Sequence, residues 1–291
     1  MQDTRLARAA VHEEYVGRVS LWSIYRFAYL VALRSLGRKN RTHALRLLLE
    51  PCNYWRNVEV PAVINRLGVK PGEKVLDIGS PKLPSLFIWY RLKAEVYATD
   101  LFPYFFEEYS SYAELLRPSF SGPAYHIEQQ DARRLEYPDA HFDRVYAISV
   151  LEHIEDDGDS QAMREIARVL KLGGICCLTV PFGESYREST IDYEIYFKKP
   201  VGGQPVFYER HYDPDSLQRR LVAPSGLRVL ATQYYGERRL PYERLYNRLP
   251  RALRILVSPL GPAFSKLFLH SMEAPLRAKA ALLVLQKGHG R

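Results

Sequence analysis

Three acidic residues follow short apolar segments of the chain. Asp77 and Gly79 close the segment VLDIGS, Asp100 closes EVYATD, and Asp131 follows YHIEQQ. Apolar runs of this length that end in an acid or a turn are typical of buried strands in a parallel sheet. Because the carboxyl ends of parallel strands meet at the same edge of the sheet, we expect the three carboxylates to line one ligand-binding cleft.

The loop after Gly79 restricts the kind of ligand. A dinucleotide needs free backbone N–H groups at a helix start and glycines that let its pyrophosphate approach. The chain has Pro81 and Pro84 where a dinucleotide fingerprint aligned on Gly79 would have glycine. Since proline lacks the N–H group and adds bulk, a nicotinamide cofactor is not expected.

A cofactor without phosphate needs less from this loop, and S-adenosylmethionine matches the residues present. Gly79 allows the close backbone approach, and Asp77 places a negative charge beside the ammonium of the methionine end. Asp100 is placed to accept hydrogen bonds from the ribose hydroxyls. Asp131 is a candidate acceptor for the adenine amino group, and the backbone after it, at Ala132, is a candidate donor to a ring nitrogen.

Five segments, in order, extend this pattern: VLDIGS, YATDL, QQDARRL, FDRVYAISVLEHIED and a helix that ends in LKLGG. Over residues 71–181 they resemble the ordered motifs of class I S-adenosylmethionine-dependent methyltransferases. The resemblance implies an α/β fold with a doubly wound, mostly parallel seven-stranded sheet, and further cofactor contacts at Ser80, Leu101 and Ser149. The chain keeps only Gly79 of the two or three glycines usual in this loop. A scaffold protein that has the fold but not the cofactor is therefore the alternative.

Two histidines are candidates for a general base, which assists methylation of an alcohol or phenol. His153 follows the fourth strand, next to Glu152, and His211 lies in ERHYDPDSL. The alternatives are that His153 and Glu152 serve the structure of their loop and that His211 is an ordinary surface residue. No cluster of acids and histidines has the spacing of metal ligands, so a metal is not expected.

The elements that position these residues divide the chain into two parts. Residues 1–70 are predicted to form a helical cap, and residues 71–291 the methyltransferase domain. Within the domain, residues 182–212 are expected to be a loop that covers the substrate. Residues 236–277 are expected to be a basic amphipathic insertion before the last strand.

Two further predictions concern single helices. The helix in QAMREIARVLKLGG is predicted to end at Gly173 and Gly174. Arg56 and Tyr54 of the cap are placed to reach the carboxylate of the cofactor, although Arg56 can equally pair with Glu59 on its own helix.

The net charge of +8 is unevenly distributed. The balance is +7 over residues 1–70, −7 over residues 71–180 and +8 over residues 181–291. The basic flanks favour an acidic partner or an anionic membrane surface, and a solvated basic surface is the alternative. The insertion can likewise contact a membrane or cap the substrate.

These observations predict a methyltransferase that transfers a methyl group to an oxygen of a small molecule, a sugar or a lipid-linked precursor. The alternatives are a scaffold without activity and an RNA or protein methyltransferase. A nucleic-acid partner is not expected, because no RNA-binding module and no Asn/Asp-Pro-Pro-Tyr/Phe site is visible. Three cysteines and no secretory signal favour a cytoplasmic location, with possible contact to the inner face of the membrane.

Overall fold

The computed structural model describes residues 19–36, 41–194, 199–200, 205–237, 242–261, 263, 269–272 and 277–288. A sheet forms its centre. The strands, in chain order, are β1 Lys74–Ile78, β2 Glu95–Asp100, β3 Tyr125–Gln129, β4 Phe142–Ile148, β5 Leu170–Pro181, β6 Arg187–Ile191, β7 Tyr193–Glu194, β8 Lys199–Pro200, β9 Val206–His211, β10 Arg228–Glu237, β11 Leu269–Met272 and β12 Ala278–Gln286.

In the described part of the chain, the central sheet has the strand order β11-β10-β12-β5-β4-β1-β2-β3. The strands β3, β2, β1, β4 and β5 are parallel to their neighbours in this order, whereas β12 is antiparallel to both β5 and β10. The predicted doubly wound, mostly parallel sheet is confirmed. The short strand β11 pairs with β10 and extends the seven strands expected from the sequence.

Helices cover both faces of this sheet. They are α1 Leu21–Ser35, α2 Arg41–Leu49, α3 Arg56–Leu67, α4 Lys82–Leu92, α5 Phe106–Leu116, α6 Gly158–Val169, α7 Tyr242–Arg248 and α8 Arg251–Val257. A further helical segment runs from Pro214–Ser216 through a π-helical stretch, Leu217–Val222, to Ala223–Ser225. Apolar residues of α1, α3, α4 and α5 pack on one face of the sheet, and those of α6 and the π-helical segment pack on the other.

Successive residues of the central strands point into these two cores in turn. Cys177 belongs to the core under α3, and Cys176 belongs to the core under α6. Both cysteines are free and buried, as is Cys52. Because each face is covered, the central strands are continuously apolar, and this is the pattern that made them recognisable in the sequence.

Two local predictions were wrong. Helix α6 ends at Val169, four residues before the predicted stop at Gly173, because Leu170 already belongs to β5 and pairs with Phe142 of β4. Gly173, with a φ of 75°, lies in a turn within β5. Residues 182–212 are not simply a loop. They contain the antiparallel pair β6 and β9, whose aromatic and β-branched residues suit a sheet.

The predicted insertion packs on the predicted cap. The Tyr25 hydroxyl, on α1, donates a hydrogen bond of 2.9 Å to Asn57 Oδ1 and lies 3.3 Å from the carbonyl oxygen of Ser258, which follows α8. Parts of both predicted segments lie outside the described residues, namely 1–18, 37–40, 238–241, 262, 264–268 and 273–276. No described helix has the length and apolarity needed to cross a membrane.

Candidate active site

Two cavities meet at the carboxyl edge of the central sheet. The smaller, about 370 Å³, lies over the loop after β1 and is lined by Gly79, Ser80 and Lys82 among others. The larger, about 870 Å³, lies over the end of β4 and the β6–β9 pair. Arg56 and Ser149 line both cavities, so the two spaces are neighbours. This arrangement suits a cofactor on one side and an acceptor on the other.

The turn after β1 requires glycine. Gly79 has a φ of 60°, and a Cβ atom there would come within 2.8 Å of Val150 Cγ1. Its backbone N–H donates to the Thr99 carbonyl oxygen over 2.9 Å, which ties the turn to β2. Glycine at position 79 therefore has two physical reasons, the left-handed backbone and the lack of space for a side chain, and its predicted contact with the cofactor stays a prediction.

The side chain of Ser80 ties this turn to the next strand. Its hydroxyl accepts a hydrogen bond of 2.8 Å from the Ile148 N–H, at the end of β4. Its own backbone N–H donates to Asp77 Oδ1 over 3.1 Å. Ser80 is 2% exposed, yet it lines the smaller cavity. It holds the loop in shape, and its predicted contact with the cofactor stays a prediction.

The two prolines fit the structure without cost to hydrogen bonding. Pro81 precedes α4, and Pro84 is the third residue of that helix. The first four N–H groups of a helix have no partner within the helix, so proline removes none of its hydrogen bonds here. Proline does remove donors that a phosphate would need. The loop is thus suited to a cofactor that does not place phosphate on it.

Lys82 is buried between the two acids of this edge. Its Nζ atom donates a hydrogen bond of 2.8 Å to the Thr99 carbonyl oxygen. The same atom lies 3.8 Å from Asp77 Oδ2 and 3.7 Å from Asp100 Oδ2, and the lysine side chain is 1% exposed. The ammonium therefore holds the ends of β1 and β2 together and offsets part of their negative charge.

Asp77 is fully buried beside Lys82, and it is not among the residues that line either cavity. Burial raises the pKa of its carboxyl to about 6, and the neighbouring Lys82 opposes this shift. Its Oδ2 atom accepts no hydrogen bond from the described residues. A buried carboxylate oxygen without a donor is costly, and an ammonium group would supply the donor. The predicted contact of Asp77 with the methionine end of S-adenosylmethionine stays a prediction.

Asp100 is placed as predicted, at the carboxyl end of β2. Its Oδ1 accepts a hydrogen bond of 3.2 Å from the Phe102 N–H, which fixes the orientation of the carboxylate. Leu101 is 44% exposed, and its carbonyl oxygen accepts a hydrogen bond from Gln129 Nε2. Its predicted contact with the cofactor stays a prediction.

Asp131 has a strong partner that the sequence analysis did not consider. Arg133 Nη2 lies 2.7 Å from Asp131 Oδ2, and the Arg133 backbone N–H donates to Oδ1 over 2.9 Å. These hydrogen bonds lower the pKa of the Asp131 carboxyl. The adjacent Ala132 packs beside the core under α6. An adenine contact at these two residues stays a prediction, and Arg133 would share the carboxylate with it.

Ser149 connects β4 to the cap. It has a φ of 49°, and its hydroxyl donates to Glu59 Oε1 over 3.0 Å while it accepts from Arg56 Nη1 over 2.7 Å. Arg56 also pairs with Glu59, as the alternative reading of the sequence predicted. Glu59 is 2% exposed, so its charge is offset where it is buried. This network forms the partition between the two cavities.

His153 lines the larger cavity and has one engaged nitrogen. Its Nδ1 atom lies 2.7 Å from the Tyr208 carbonyl oxygen. Because a carbonyl oxygen only accepts, Nδ1 carries the proton and the neutral ring keeps a lone pair on Nε2. Burial lowers the pKa of His153. A ring in this state can accept a proton at Nε2.

Glu152 lies beside that nitrogen, and its pKa is shifted in the opposite direction from that of His153. Its Oε1 atom is 3.9 Å from His153 Nε2, and its side chain is 1% exposed. Burial raises the pKa of the Glu152 carboxyl well above its usual value. Burial thus favours the neutral carboxyl, which has less tendency than a carboxylate to hold His153 in its charged form.

His211 also lines the larger cavity, but both of its nitrogens have partners. Nε2 lies 3.0 Å from Glu209 Oε1, and Nδ1 lies 3.4 Å from Arg187 Nη2. Since arginine only donates, Nδ1 accepts and Nε2 carries the proton. His211 would have to give up the Arg187 contact to act as a base.

Residues that are distant in sequence form one wall of the larger cavity through contacts with one another. Trp55 Nε1 donates to Glu243 Oε1 over 2.8 Å, and the Tyr246 hydroxyl donates to Glu50 Oε1 over 3.2 Å. The rings of Tyr54 and Tyr246 lie 5.7 Å apart. The cap and α7 thus form a joint wall of the cavity, and we call this set of contacts the clamp.

The sequence analysis missed Lys82 and the buried position of Glu59. A signal for Lys82 was present, because α4 has the sequence KLPSLFIWYRL, and its first eight residues are all buried. A helix that is apolar on all sides leaves no exposed face for a lysine. A lysine in that context, next to two acids at strand ends, indicates a buried ion pair.

Comparison with known proteins supports the assignment of a methyltransferase domain. Residues 76–178 match the sequence model of the family described as the methyltransferase domain. No curated protein sequence matches the chain. The matched residues include the ends of β1, β2 and β4, and therefore the acids, the glycine turn and His153 described above.

Two solved structures show the same fold, and a third is a weaker match. The YcgJ protein from Bacillus subtilis has a TM-score of 0.51 and 18% identity, and the match covers 80% of this chain and 99% of that one. A Haloferax volcanii methyltransferase in complex with the Trm112 activator has a TM-score of 0.50 and 15% identity, over 82% and 91% of the two chains. Phosphoethanolamine N-methyltransferase 2 from Haemonchus contortus, in complex with S-adenosyl-L-methionine, has a TM-score of 0.48 and 15% identity, over 79% and 52%.

The order of strands, the glycine turn, the acids at the ends of β1 and β2 and the family match agree with one another. The residues present fit S-adenosylmethionine, and they do not fit a dinucleotide. The chain contains a methyltransferase domain at residues 76–178, within the fold of class I S-adenosylmethionine-dependent methyltransferases.

Proposed function

We propose that this enzyme methylates a hydroxyl oxygen of a small molecule, a sugar or a lipid-linked precursor, with His153 as the general base. One observation carries the proposal. His153 lines the larger cavity as a neutral ring with an unengaged Nε2, and that cavity adjoins the cofactor cavity at Arg56 and Ser149.

The arrangement of the two cavities supports the following roles. S-adenosylmethionine supplies a methyl group that is already activated on a sulfonium. Asp77, Gly79 and Asp100 would hold the cofactor, and the partition of Arg56 and Ser149 would separate it from the body of the acceptor. His153 Nε2 takes the proton of the acceptor hydroxyl, and the Tyr208 carbonyl keeps the ring oriented through Nδ1. Alignment and exclusion of water are the main contributions of the protein.

The polar lining of the larger cavity supports an acceptor with several hydrogen-bonding groups. Glu50, Asn53, Arg187, Arg254 and Lys279 line it, and Arg254 Nε is buried without a hydrogen-bond partner among the described residues. An acceptor with hydroxyl or acidic groups would satisfy such donors. Sugars and phosphate-bearing precursors have this chemistry.

We also propose a cytoplasmic location. The three free, buried cysteines fit a reducing compartment.

The proposal is tested with the purified enzyme and S-adenosylmethionine that carries an isotope label in its methyl group. A panel of phenols, free sugars and polyprenyl-linked sugars serves as acceptors, with primary amines of matched size as controls. Transfer of label to a hydroxyl oxygen, located by mass spectrometry, is the expected result. Label on the amines alone would contradict the proposal.

A further inference from the structure

The helices α1, α2, α7 and α8, here called the helical module, carry most of the exposed large apolar side chains. Eight of the eleven such side chains among the described residues belong to the module or follow α8 directly: Trp22, Leu33, Leu45, Leu49, Leu245, Leu253, Leu256 and Leu260. The other three, Leu101, Leu172 and Val229, are scattered over the methyltransferase domain. Apolar exposure is therefore concentrated in one region, and such patches mark interaction sites.

The module is one packed unit, although its helices come from opposite ends of the sequence. Tyr25 on α1 contacts Ser258 after α8 through its hydroxyl. Tyr246 on α7 donates a hydrogen bond to Glu50, which follows α2. These contacts place α1 beside the end of α8, and the end of α2 beside α7.

The outer face of α8 is apolar. Leu253 and Leu256 of α8, and Leu260 in the helical turn that follows it, lie at intervals of three and four residues and are 46%, 71% and 50% exposed. Side chains at these intervals share one face of a helix. The opposite face points inward, since Arg254 lines the larger cavity and Ser258 is 4% exposed. The exposed leucines are therefore not part of the acceptor cavity.

The charge of the module is predominantly positive. Its four helices contain eight arginines and, as their one acidic residue, Glu243. Arg26, Arg34, Arg244 and Arg248 are among the exposed ones. A second copy of the same cationic face would be repelled, whereas an anionic surface would be attracted. Exposed leucines and exposed arginines on the same set of helices match the interface of an anionic bilayer.

We propose that the helical module docks the enzyme on an anionic lipid bilayer, with the leucines of α8 in the headgroup region and the arginines of α7 on lipid phosphates. The inner faces of α7 and α8 line the larger cavity, through Tyr246 and Arg254. Docking would hold the acceptor cavity beside the membrane, where a lipid-linked acceptor is available. This surface goes beyond the proposed reaction, and its test requires no turnover.

The test is co-sedimentation of the full chain with vesicles of phosphatidylcholine alone or with one third phosphatidylglycerol. Wild type is expected to bind the anionic vesicles and to be released by high salt. R244Q/R248Q is expected to bind about 10- to 30-fold more weakly, because each arginine near an anionic surface contributes about fivefold. L253S/L256S is expected to lose at least about tenfold. The matched controls are R164Q/R219Q and L172S/V229S, which change exposed residues outside the module.

Equal loss in the controls, or no difference between the two vesicle types, would overturn the proposal. A dimer would also overturn it, if light scattering showed that L253S/L256S converts the dimer to a monomer and wild type did not bind vesicles. A second copy of the chain would then cover this face. Titration of every variant with S-adenosylhomocysteine shows whether the variant is folded. Failure to dock with normal cofactor binding would refute the membrane surface and leave the reaction unaffected.

Discussion

The two cavities of this enzyme are built in different ways. The cofactor side rests on the ends of β1 and β2 and the start of α4, within 27 residues from Lys74 to Asp100. The acceptor side joins the cap, the end of β4, β9 and α7, so residues such as Trp55 and Glu243 meet across 188 positions. A buried ion cluster organises the first side, and hydrogen bonds between distant segments organise the second. The cofactor side is therefore expected to be rigid and the acceptor side separable from it.

Replacement of His153 is expected to have the largest effect, and to change the acceptor side while the cofactor side stays unchanged. In H153A the proton acceptor is lost, and kcat is expected to fall by about 10²- to 10⁴-fold. The affinity for S-adenosylhomocysteine, measured by calorimetry, is expected to stay within about twofold, because His153 lines only the acceptor cavity. H211A is the matched control and is expected to keep most of its activity. If H211A lost as much activity as H153A, the assignment of the base would be wrong.

Replacement of Lys82 would break the cofactor side. K82M leaves Asp77 and Asp100 without their cation, and loss of one partner of a buried ion pair costs about 3 to 5 kcal/mol of unfolding free energy. The double variant D77N/K82M is expected to recover a large part of this loss, because it removes one of the unpaired charges. Urea denaturation measures both values. The exposed K70M is the control, expected within about 0.5 kcal/mol of wild type. A similar small effect for K82M would show that the ion cluster does not organise this side.

The pH dependence of cofactor binding would sharpen the role of Asp77. Its pKa in the fold is about 6, above the ordinary value of 3.8, so its ionised form lowers the stability of the free enzyme as pH rises between these values. An ammonium ligand needs that ionised form. The affinity for S-adenosylhomocysteine is therefore expected to rise about tenfold from pH 5 to pH 7. In D77N the affinity is expected to be weaker and independent of pH over this range. A profile in D77N as steep as that of wild type would assign the titration to another group.

The clamp offers the mildest change, confined to the acceptor side. W55F removes the hydrogen bond to Glu243, which is worth about 1 kcal/mol. Amide hydrogen exchange in α7 is expected to speed up about fivefold, while exchange in β1 and β2 stays unchanged. W22F, a partly exposed tryptophan on α1, is the control. Faster exchange in β1 as well would mean that the two sides are not separable.

The sequence predicted the cofactor side better than the acceptor side, and the reason is physical. Asp77, Gly79 and Asp100 sit at strand ends that follow from local apolar runs, so their meeting at one edge was predictable. The missed Lys82 was recognisable from the same local pattern. The clamp and the Tyr208 contact of His153 depend on how β9 and α7 pack against distant segments. No short-range pattern encodes such contacts, and the β6–β9 pair was accordingly predicted to be a loop.

The predicted domain boundaries followed the composition of the sequence, whereas the apolar packing extends across them. The sequence separated residues 1–70 as a cap, yet Val63 of α3 and Cys177 of β5 belong to the same core. Apolar burial is not directional, so a segment with a different charge balance can still complete the core of its neighbour.

The most direct test of the cofactor assignment is calorimetric titration of wild type and D100N with S-adenosylhomocysteine, with NADH as the control ligand. Asn keeps the size of Asp100 but removes its charge, which pairs with Lys82 and which the proposed contact with the ribose hydroxyls requires. We expect micromolar binding by wild type, binding at least about 30-fold weaker by D100N, and no heat from NADH. Folded wild type that binds no S-adenosylhomocysteine, or D100N that binds it as well as wild type, would contradict the account.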